Sequence, residues 1–359
     1  MIPANAKIGV LVINFGEPED PTPANVEAFL ERIFLQNAGL EPGESALARA
    51  RQLARDRAPS FVEEYSAMGG SPLKAQAEAQ AAALGAELRA RGRDVRTYPA
   101  FQFVSPLVHE SVARAQADGI EVLVALPVYP LCGKSTTEAA IADVHAALAE
   151  LSWAPELLAV AGWHRHPGYI ALRADHIRTF MEERGLDARD ADTLLYFSVH
   201  GTPIKYLEEG SRYDRYVEEH CRDVAAGAGA DRYAVGFQNH TNRRVRWTQP
   251  DNEDRIRAAP ERRLAVAPIS FMHEQSETLV ELDHGVRSFA ESLGKEFHRV
   301  PVPHDSAHFH GVLADLVEGL LAGARGPLFA RCRCVGAAGT WCTNAMRDLP
   351  PSPFARAAP

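Results

Sequence analysis

An imidazole and a set of carboxylates carry the chemistry available to this chain. His200 closes the run TLLYFSVHGTP (Thr193 to Pro203), in which every residue from Leu194 to His200 except Ser198 is apolar, aromatic or histidine. Gly201 and Pro203 end the pattern, so the run predicts a strand buried on both faces of a parallel sheet, with the imidazole at its carboxyl end. Ligand sites in open α/β sheets lie beyond those ends. Glu274, Glu277 and Glu281 follow the apolar stretch that ends at Ile269. Their i, i+3, i+7 spacing predicts three carboxylates on one face of an entering helix. Acids in a first helical turn also complement the helix dipole and cap its N–H groups. That accounts for Glu274 and Glu277 better than for Glu281. Facing an imidazole, the stripe suits proton transfer or transient cation binding. The residues alone leave both a core histidine and a catalytic one open. His304 and His308 stand at i, i+4, but no third ligand is spaced with them, and they read as structural.

The elements that must position these groups alternate in type. Strands are predicted over Ile8 to Phe15, near Val95 to Phe103, over Val122 to Val128 and over Leu157 to Val160. The rhythm restarts with Leu194 to Val199, Arg232 to Phe237, Leu264 to Ile269 and Phe297 to Val302, with helical segments between. Two doubly wound α/β domains are expected, each with a roughly four-stranded parallel sheet, over residues 1–165 and 166–305. A helix and a Cys-containing extension follow over residues 306–359, with the tail from Ala322 onward outside both sheets. The Arg-rich stretch Gly43 to Pro59 predicts a helix and a loop, and Tyr65 to Leu73 a Gly-Gly turn.

Composition narrows the class. A chain of 359 residues, 46% hydrophobic, is long enough for two cores. Against 47 acidic residues stand 38 basic ones, without a Lys/Arg face interleaved with aromatics, which argues against a nucleic-acid partner. No apolar run reaches the roughly 18 residues of a membrane span, and the N-terminus lacks the regions of a secretory signal. A cytoplasmic location is expected. Five cysteines in a chain of this size are not a disulfide scaffold, although three crowd into Cys332, Cys334 and Cys342.

Six collinear blocks resemble the ferrochelatase family: INFGEPEDP, EEYSAMGGSPL, VYPLCGKSTTEAA, TLLYFSVHGTP, YAVGFQNHTNRRVRWTQPD and APISFMHEQSETLVELD. The likeness runs from about Ile8 to about Leu320. It implies two Rossmann-like domains with a porphyrin cleft between them, and insertion of ferrous iron into protoporphyrin IX with release of two protons. On this resemblance His200 is the proton acceptor or metal contact, and Glu277 its paired carboxylate. Glu274 and Glu281 join these two as metal contacts, and Phe15, Gln102, Phe103, Trp247 and Phe271 line the porphyrin. A neutral imidazole beside carboxylates supplies both a base and a relay for two departing pyrrole protons.

The chain departs from the family pattern at several places. His273-Glu274-Gln275 stands where Ser-Asp-His is usual, and Gly285 where eukaryotic members carry a second acid. Gln102 replaces a common arginine. Phe15 takes the place of the metal-ligating tyrosine of coproporphyrin-using enzymes, which makes protoporphyrin the expected substrate. Some members hold a [2Fe–2S] cluster on three C-terminal cysteines and one from the body. Here Cys332, Cys334 and Cys342 with Cys132 would be that set; a zinc site, unligated thiols, or Cys221 in place of Cys132 are the alternatives. A non-catalytic porphyrin- or haem-binding paralogue and a related chelatase for another metal or tetrapyrrole are the rival functions. Peripheral membrane contact and a homodimer stay open.

Overall fold

The computed structural model describes residues 6–40, 46–239, 245–323, 330–331 and 339–343. The first half begins with β1 (Ile8–Asn14), followed by a helical hairpin of α1 (Pro23–Gln36) and α2 (Ala46–Ala67). It continues with α3 (Leu73–Ala90), β2 (Val95–Phe101), α4 (Val108–Ala117), β3 (Val122–Pro127), α5 (Ala139–Glu150) and β4 (Glu156–Val160). After α6 (Pro167–Glu183), the second half runs β5 (Thr193–His200), α7 (Ile204–Glu208), α8 (Tyr213–Gly227), β6 (Tyr233–Gln238), α9 (Asn252–Ala258) and β7 (Arg263–Pro268). A π-helix, Glu277–Val286, passes into α10 (Arg287–Ser292) and then β8 (Glu296–Arg299). α11 (Ala307–Leu321) and the short strands β9 (Ala330–Arg331) and β10 (Thr340–Cys342) complete the described chain.

Two parallel sheets result, as the alternation of apolar runs predicts. Their strand orders are β2-β1-β3-β4-β10-β9 and β6-β5-β7-β8, with only β9 antiparallel. Both faces of each sheet are covered. Leu11 and Ile13 of β1 enter one core and Val10 and Val12 another, while Leu195, Phe197 and Val199 of β5 lie opposite Leu194 and Tyr196. That two-sided burial is why these strands read as continuous apolar runs. In each sheet the first strand is central, with β2 and β3 flanking β1, and β6 and β7 flanking β5. The chain beyond the carboxyl ends of β1 and β5 therefore lies at a topological switch point, where open α/β sheets bind ligands.

Two sequence expectations need correction. The tail does not lie outside both sheets: Thr340 and Trp341 pair in parallel with Ala159 and Val160, and α11 packs on α3 and α6 of the first half. The N–H groups of Ala159 and Ala161 donate to Gly339 and Trp341, so the tail covers a parallel edge that would otherwise stand open. Strands of two and three residues carry no readable alternation, which is why the sequence hides them. Likewise Pro59 does not end its helix but lies inside α2. Ala50, Ala54 and Ala58 form a buried stripe at i, i+4 that joins Val26, Phe29 and Leu30 of α1, and this packing outweighs the backbone bond that proline removes.

Candidate active site

His200 ends β5 and is held through its own backbone. Its N–H donates to Ser270 Oγ at 2.9 Å, and Tyr213 Oη donates to its carbonyl at 3.0 Å and lies 2.9 Å from the same Ser270 Oγ. The ring Nδ1 is 2.6 Å from the Gly201 carbonyl. A carbonyl only accepts, so Nδ1 carries the proton and Nε2 presents its lone pair. Burial pushes the imidazole below its ordinary range, partly opposed by the Gly201 contact, and favours the neutral form. Trp247 and Phe271 approach it edge-on, with ring centroids at 6.5 and 6.3 Å.

Gln238 joins this histidine to the carboxylates. It pairs with His200 across the β5–β6 ladder, and its carbonyl accepts from Gly201 N–H at 2.7 Å. Its side-chain amide donates to Glu281 Oε2 at 3.0 Å and to the Glu277 carbonyl at 3.1 Å, and its own Oε1 accepts from Ser198 Oγ at 3.0 Å. Ser198 in the apolar β5 run thus orients the amide behind the site. Glu277 and Glu281 occupy the π-helix, a widened turn geometry that recurs at functional sites.

The expected stripe of three acids is not what assembles. Glu274 lies ahead of the π-helix and is fully engaged elsewhere: it accepts from Arg299 at 2.9 and 3.0 Å, from Val302 N–H at 2.9 Å and from Thr278 Oγ1 at 2.6 Å. Arg299 also binds Asp283, which makes this a structural ion network rather than an open ligand. Glu17, just after β1 in the other half, supplies the third carboxylate. It is 1% exposed and accepts Tyr65 Oη at 2.8 Å, Ser71 Oγ at 2.6 Å, Ser276 N–H at 3.1 Å and Ser276 Oγ at 2.5 Å. Ser276 Oγ also lies 3.1 Å from Glu277 Oε2, to which Gln275 Nε2 donates at 2.7 Å. One hydroxyl proton cannot serve two carboxylates at once.

Their electrostatics follow from that arrangement. Burial, reinforced by Glu277, pushes Glu17 up to about 7, against lowering by its hydroxyl and amide donors. Burial also raises Glu277. Desolvation and then Glu277 push Glu281 up to about 8, although the residue is exposed to solvent, which tempers the rise. Among the described residues no Lys or Arg pairs with Glu17, Glu277 or Glu281. Raised carboxylates of this kind are poised to hold protons near neutral pH. His273, buried and held down to about 3 by desolvation, is neutral.

The expected porphyrin-lining residues fall in two places. Trp247 and Phe271 flank His200, whereas Phe15 and Phe103 meet at 4.5 Å with their rings tilted by 59° and pack with Phe29 against the α1–α2 hairpin, Phe103 buried and Phe15 half-buried. Gln102, adjacent to Phe103, accepts from Tyr129 Oη at 2.7 Å. Gly16 bends the chain between Phe15 and Glu17 with φ of 84°, and a Cβ there would lie 2.6 Å from Val104 Cγ2.

Of the four cysteines expected to hold a cluster, Cys332 and Cys334 lie outside the described residues. Cys132 and Cys342 are buried beside one stretch of chain: Pro130 accepts from the N–H groups of Trp163 and His164, and Gly162 N–H approaches Cys342 Sγ at 3.3 Å. These contacts bring both cysteines to the same stretch of chain, and no group of three metal-binding side chains occurs among the described residues. Cys221 is buried in the core, and burial raises its thiol well above the ordinary range.

Glu17, Gln238, Ser270 and Ser276 escaped the sequence reading. Glu17 lies within INFGEPEDP, but nothing local ties that block to residue 276.

A family model described as Ferrochelatase matches residues 7–320. The chain is 33% identical to the ferrochelatase of Synechococcus sp. (strain RCC307), over 89% of this chain and 84% of that one. It is 35% identical to the ferrochelatase of Synechococcus sp. (strain JA-3-3Ab), over 87% of this chain and 93% of that one. A solved multi-domain protein of Deinococcus radiodurans, described as structurally similar to chelatases, matches with a TM-score of 0.46 and 14% identity. The match covers 90% of this chain, which spans 56% of that protein's length.

Proposed function

The chain belongs to the ferrochelatase family, and from that premise we propose that it inserts ferrous iron into protoporphyrin IX, with His200 as the base. The observation that carries this reading is the state of His200: its Nδ1 proton is committed to Gly201, burial favours its neutral form, and Gln238 links it to carboxylates that meet no Lys or Arg among the described residues. The macrocycle lies between Trp247 and Phe271 on one side and the Phe15–Phe103 wall, with Gln102, on the other. Nε2 takes a pyrrole proton as the metal enters. Glu277 and Glu281 contact the incoming ion or pass the protons outward, while Glu274 anchors the segment through Arg299. A tight apolar wall favours the puckered macrocycle that exposes its nitrogens.

Phe15 offers no oxygen to a metal, which favours protoporphyrin over coproporphyrin. Anaerobic metal insertion by the purified protein, with the two porphyrins side by side and His200→Ala alongside, tests both points. Preference for coproporphyrin would overturn the substrate, and wild-type turnover by His200→Ala would overturn the base.

A [2Fe–2S] cluster would be held by Cys132, Cys332, Cys334 and Cys342. When bound, such a cluster supplies a one-electron centre and ties the tail to the first half. A colourless, iron-free protein after anaerobic purification would reject it. No helix of the described residues is long and apolar enough to cross a membrane. Leu35 and Leu47, 44% and 40% exposed at facing ends of α1 and α2, suit a peripheral membrane contact through which an apolar porphyrin is received by a cytoplasmic enzyme.

A further inference from the structure

Glu17 stands where three elements meet. It follows β1, and its two oxygens collect hydrogen bonds from Tyr65 in the last turn of α2, from Ser71 in the turn before α3, and from both polar groups of Ser276. A carboxylate only accepts, so all four donors are turned toward it. Ser276 immediately precedes Glu277 and shares its hydroxyl with that residue, so holding the Ser276 N–H and Oγ sets the direction of the next side chain. The backbone is shaped for this approach. Gly70, with φ of 90°, passes so near Glu19 that a Cβ would lie 2.2 Å from its carbonyl oxygen. Gln76 Oε1 of α3 adds a second link across the cleft by accepting Glu274 N–H at 2.9 Å.

The other end of the tie reaches the aromatic wall. Tyr65 packs edge-on to Phe29 at 6.3 Å, and Phe29 contacts both Phe15 and Phe103 at 6.1 and 6.3 Å. A continuous path of packed rings and hydrogen bonds therefore runs from Phe15 and Phe103 through Phe29, Tyr65, Glu17 and Ser276 to Glu277. A buried carboxylate satisfied, among the described residues, by hydroxyls and one amide is a costly way to join two halves for stability alone.

We propose that Glu17 is a positioning residue that couples occupancy of the Phe15–Phe103 wall by porphyrin to the alignment of Glu277. The proposal rests on the role given to Glu277 above. Porphyrin pressing on the wall moves or stiffens α2, Tyr65 carries this to Glu17, and Ser276 carries it to the carboxylate that acts on the metal.

Two measurements test it. In zinc insertion into protoporphyrin IX, Glu17→Gln lowers kcat at least about tenfold while the porphyrin Kd, read by fluorescence quenching, changes less than about threefold. Tyr65→Phe and Ser276→Ala each remove one end of the tie and lower kcat in the same way, and the Glu17→Gln/Tyr65→Phe double variant is no slower than Glu17→Gln alone. Losses that multiply in the double variant, or a wild-type kcat in Glu17→Gln, overturn the coupling. The second readout needs no turnover: protoporphyrin IX without metal slows amide hydrogen exchange over residues 276–281 in the wild-type protein and fails to do so in Glu17→Gln and Tyr65→Phe. Equal protection in wild type and variants overturns the proposal. Protection that depends on Glu17 in a protein that inserts no metal would sink the functional reading and leave the coupling standing. Should Glu17→Gln fail to fold, Tyr65→Phe and Ser276→Ala carry the same comparison from either end.

Discussion

Around Glu219 and around Glu17 the molecule buries carboxylates in opposite ways. Glu219 on α8 faces Arg165, whose guanidinium grips it at 2.9 and 2.6 Å, and His164, which donates at 3.2 Å. These partners overcome its burial and hold it down to about 2. Glu17 is buried more deeply, 1% exposed against 9%; among the described residues it meets hydroxyls and one N–H, with Glu277 nearby, and is pushed up to about 7. Burial raises both groups, and at Glu219 the neighbouring cations reverse the direction. The first arrangement is a finished ion pair, and the second has no Lys or Arg beside it among the described residues, so a proton takes that place. Glu274, satisfied by Arg299, belongs with Glu219 despite its place beside the site.

The largest effect that separates the two kinds is catalytic. Glu277→Gln lowers kcat for metal insertion by about 10²–10³, measured by loss of porphyrin fluorescence, because it removes a group used at the reacting centre. A kcat within threefold of wild type would break the comparison. Glu219→Gln does the reverse: it removes the carboxylate that Arg165 and His164 share and destabilises the fold by roughly 2–4 kcal/mol in urea unfolding, with kcat within about twofold of wild type.

Stability against pH sharpens the contrast. Glu17 has a folded pKa above its ordinary 4.5, so its contribution is complete below 4.5 and is lost as pH rises toward about 7. Glu219 has a folded pKa below 4.5, so its contribution is complete above 4.5 and is lost as pH falls toward about 2. Glu17→Gln therefore flattens the decline of the urea midpoint between pH 5 and 8, an effect of about 2 kcal/mol. An unchanged slope in that variant would mean that Glu17 is not the group responsible. The smallest effect is expected at the aromatic wall: Trp247→Phe keeps a ring beside His200 and raises the porphyrin KM about threefold, by roughly 0.5–1 kcal/mol of lost contact. A larger rise with reduced kcat would give Trp247 a role in shaping the macrocycle.

Much of this was legible in the chain. The apolar runs that became β1, β3, β5 and β7, their alternation with helices, and His200 at the end of β5 all follow from local pattern, because burial on both faces leaves a continuous apolar signature whatever the partner strand. Glu277 and Glu281 share one helix, and their proximity was likewise readable from spacing.

Three features were decided only by the tertiary structure. Glu274 has the right spacing but turns to Arg299 on β8, a cation that helical periodicity cannot see. Glu17 reaches Ser276 across 259 residues of sequence, through a contact created by docking one sheet against the other. The tail strand β10 pairs with β4 because an open parallel edge accepts even three residues. Periodicity records what a residue does for its own element. Which carboxylates meet, and whether a cation arrives with them, depends on packing between elements, and that is what gives one buried glutamate a structural ion pair and another a raised, proton-holding carboxyl.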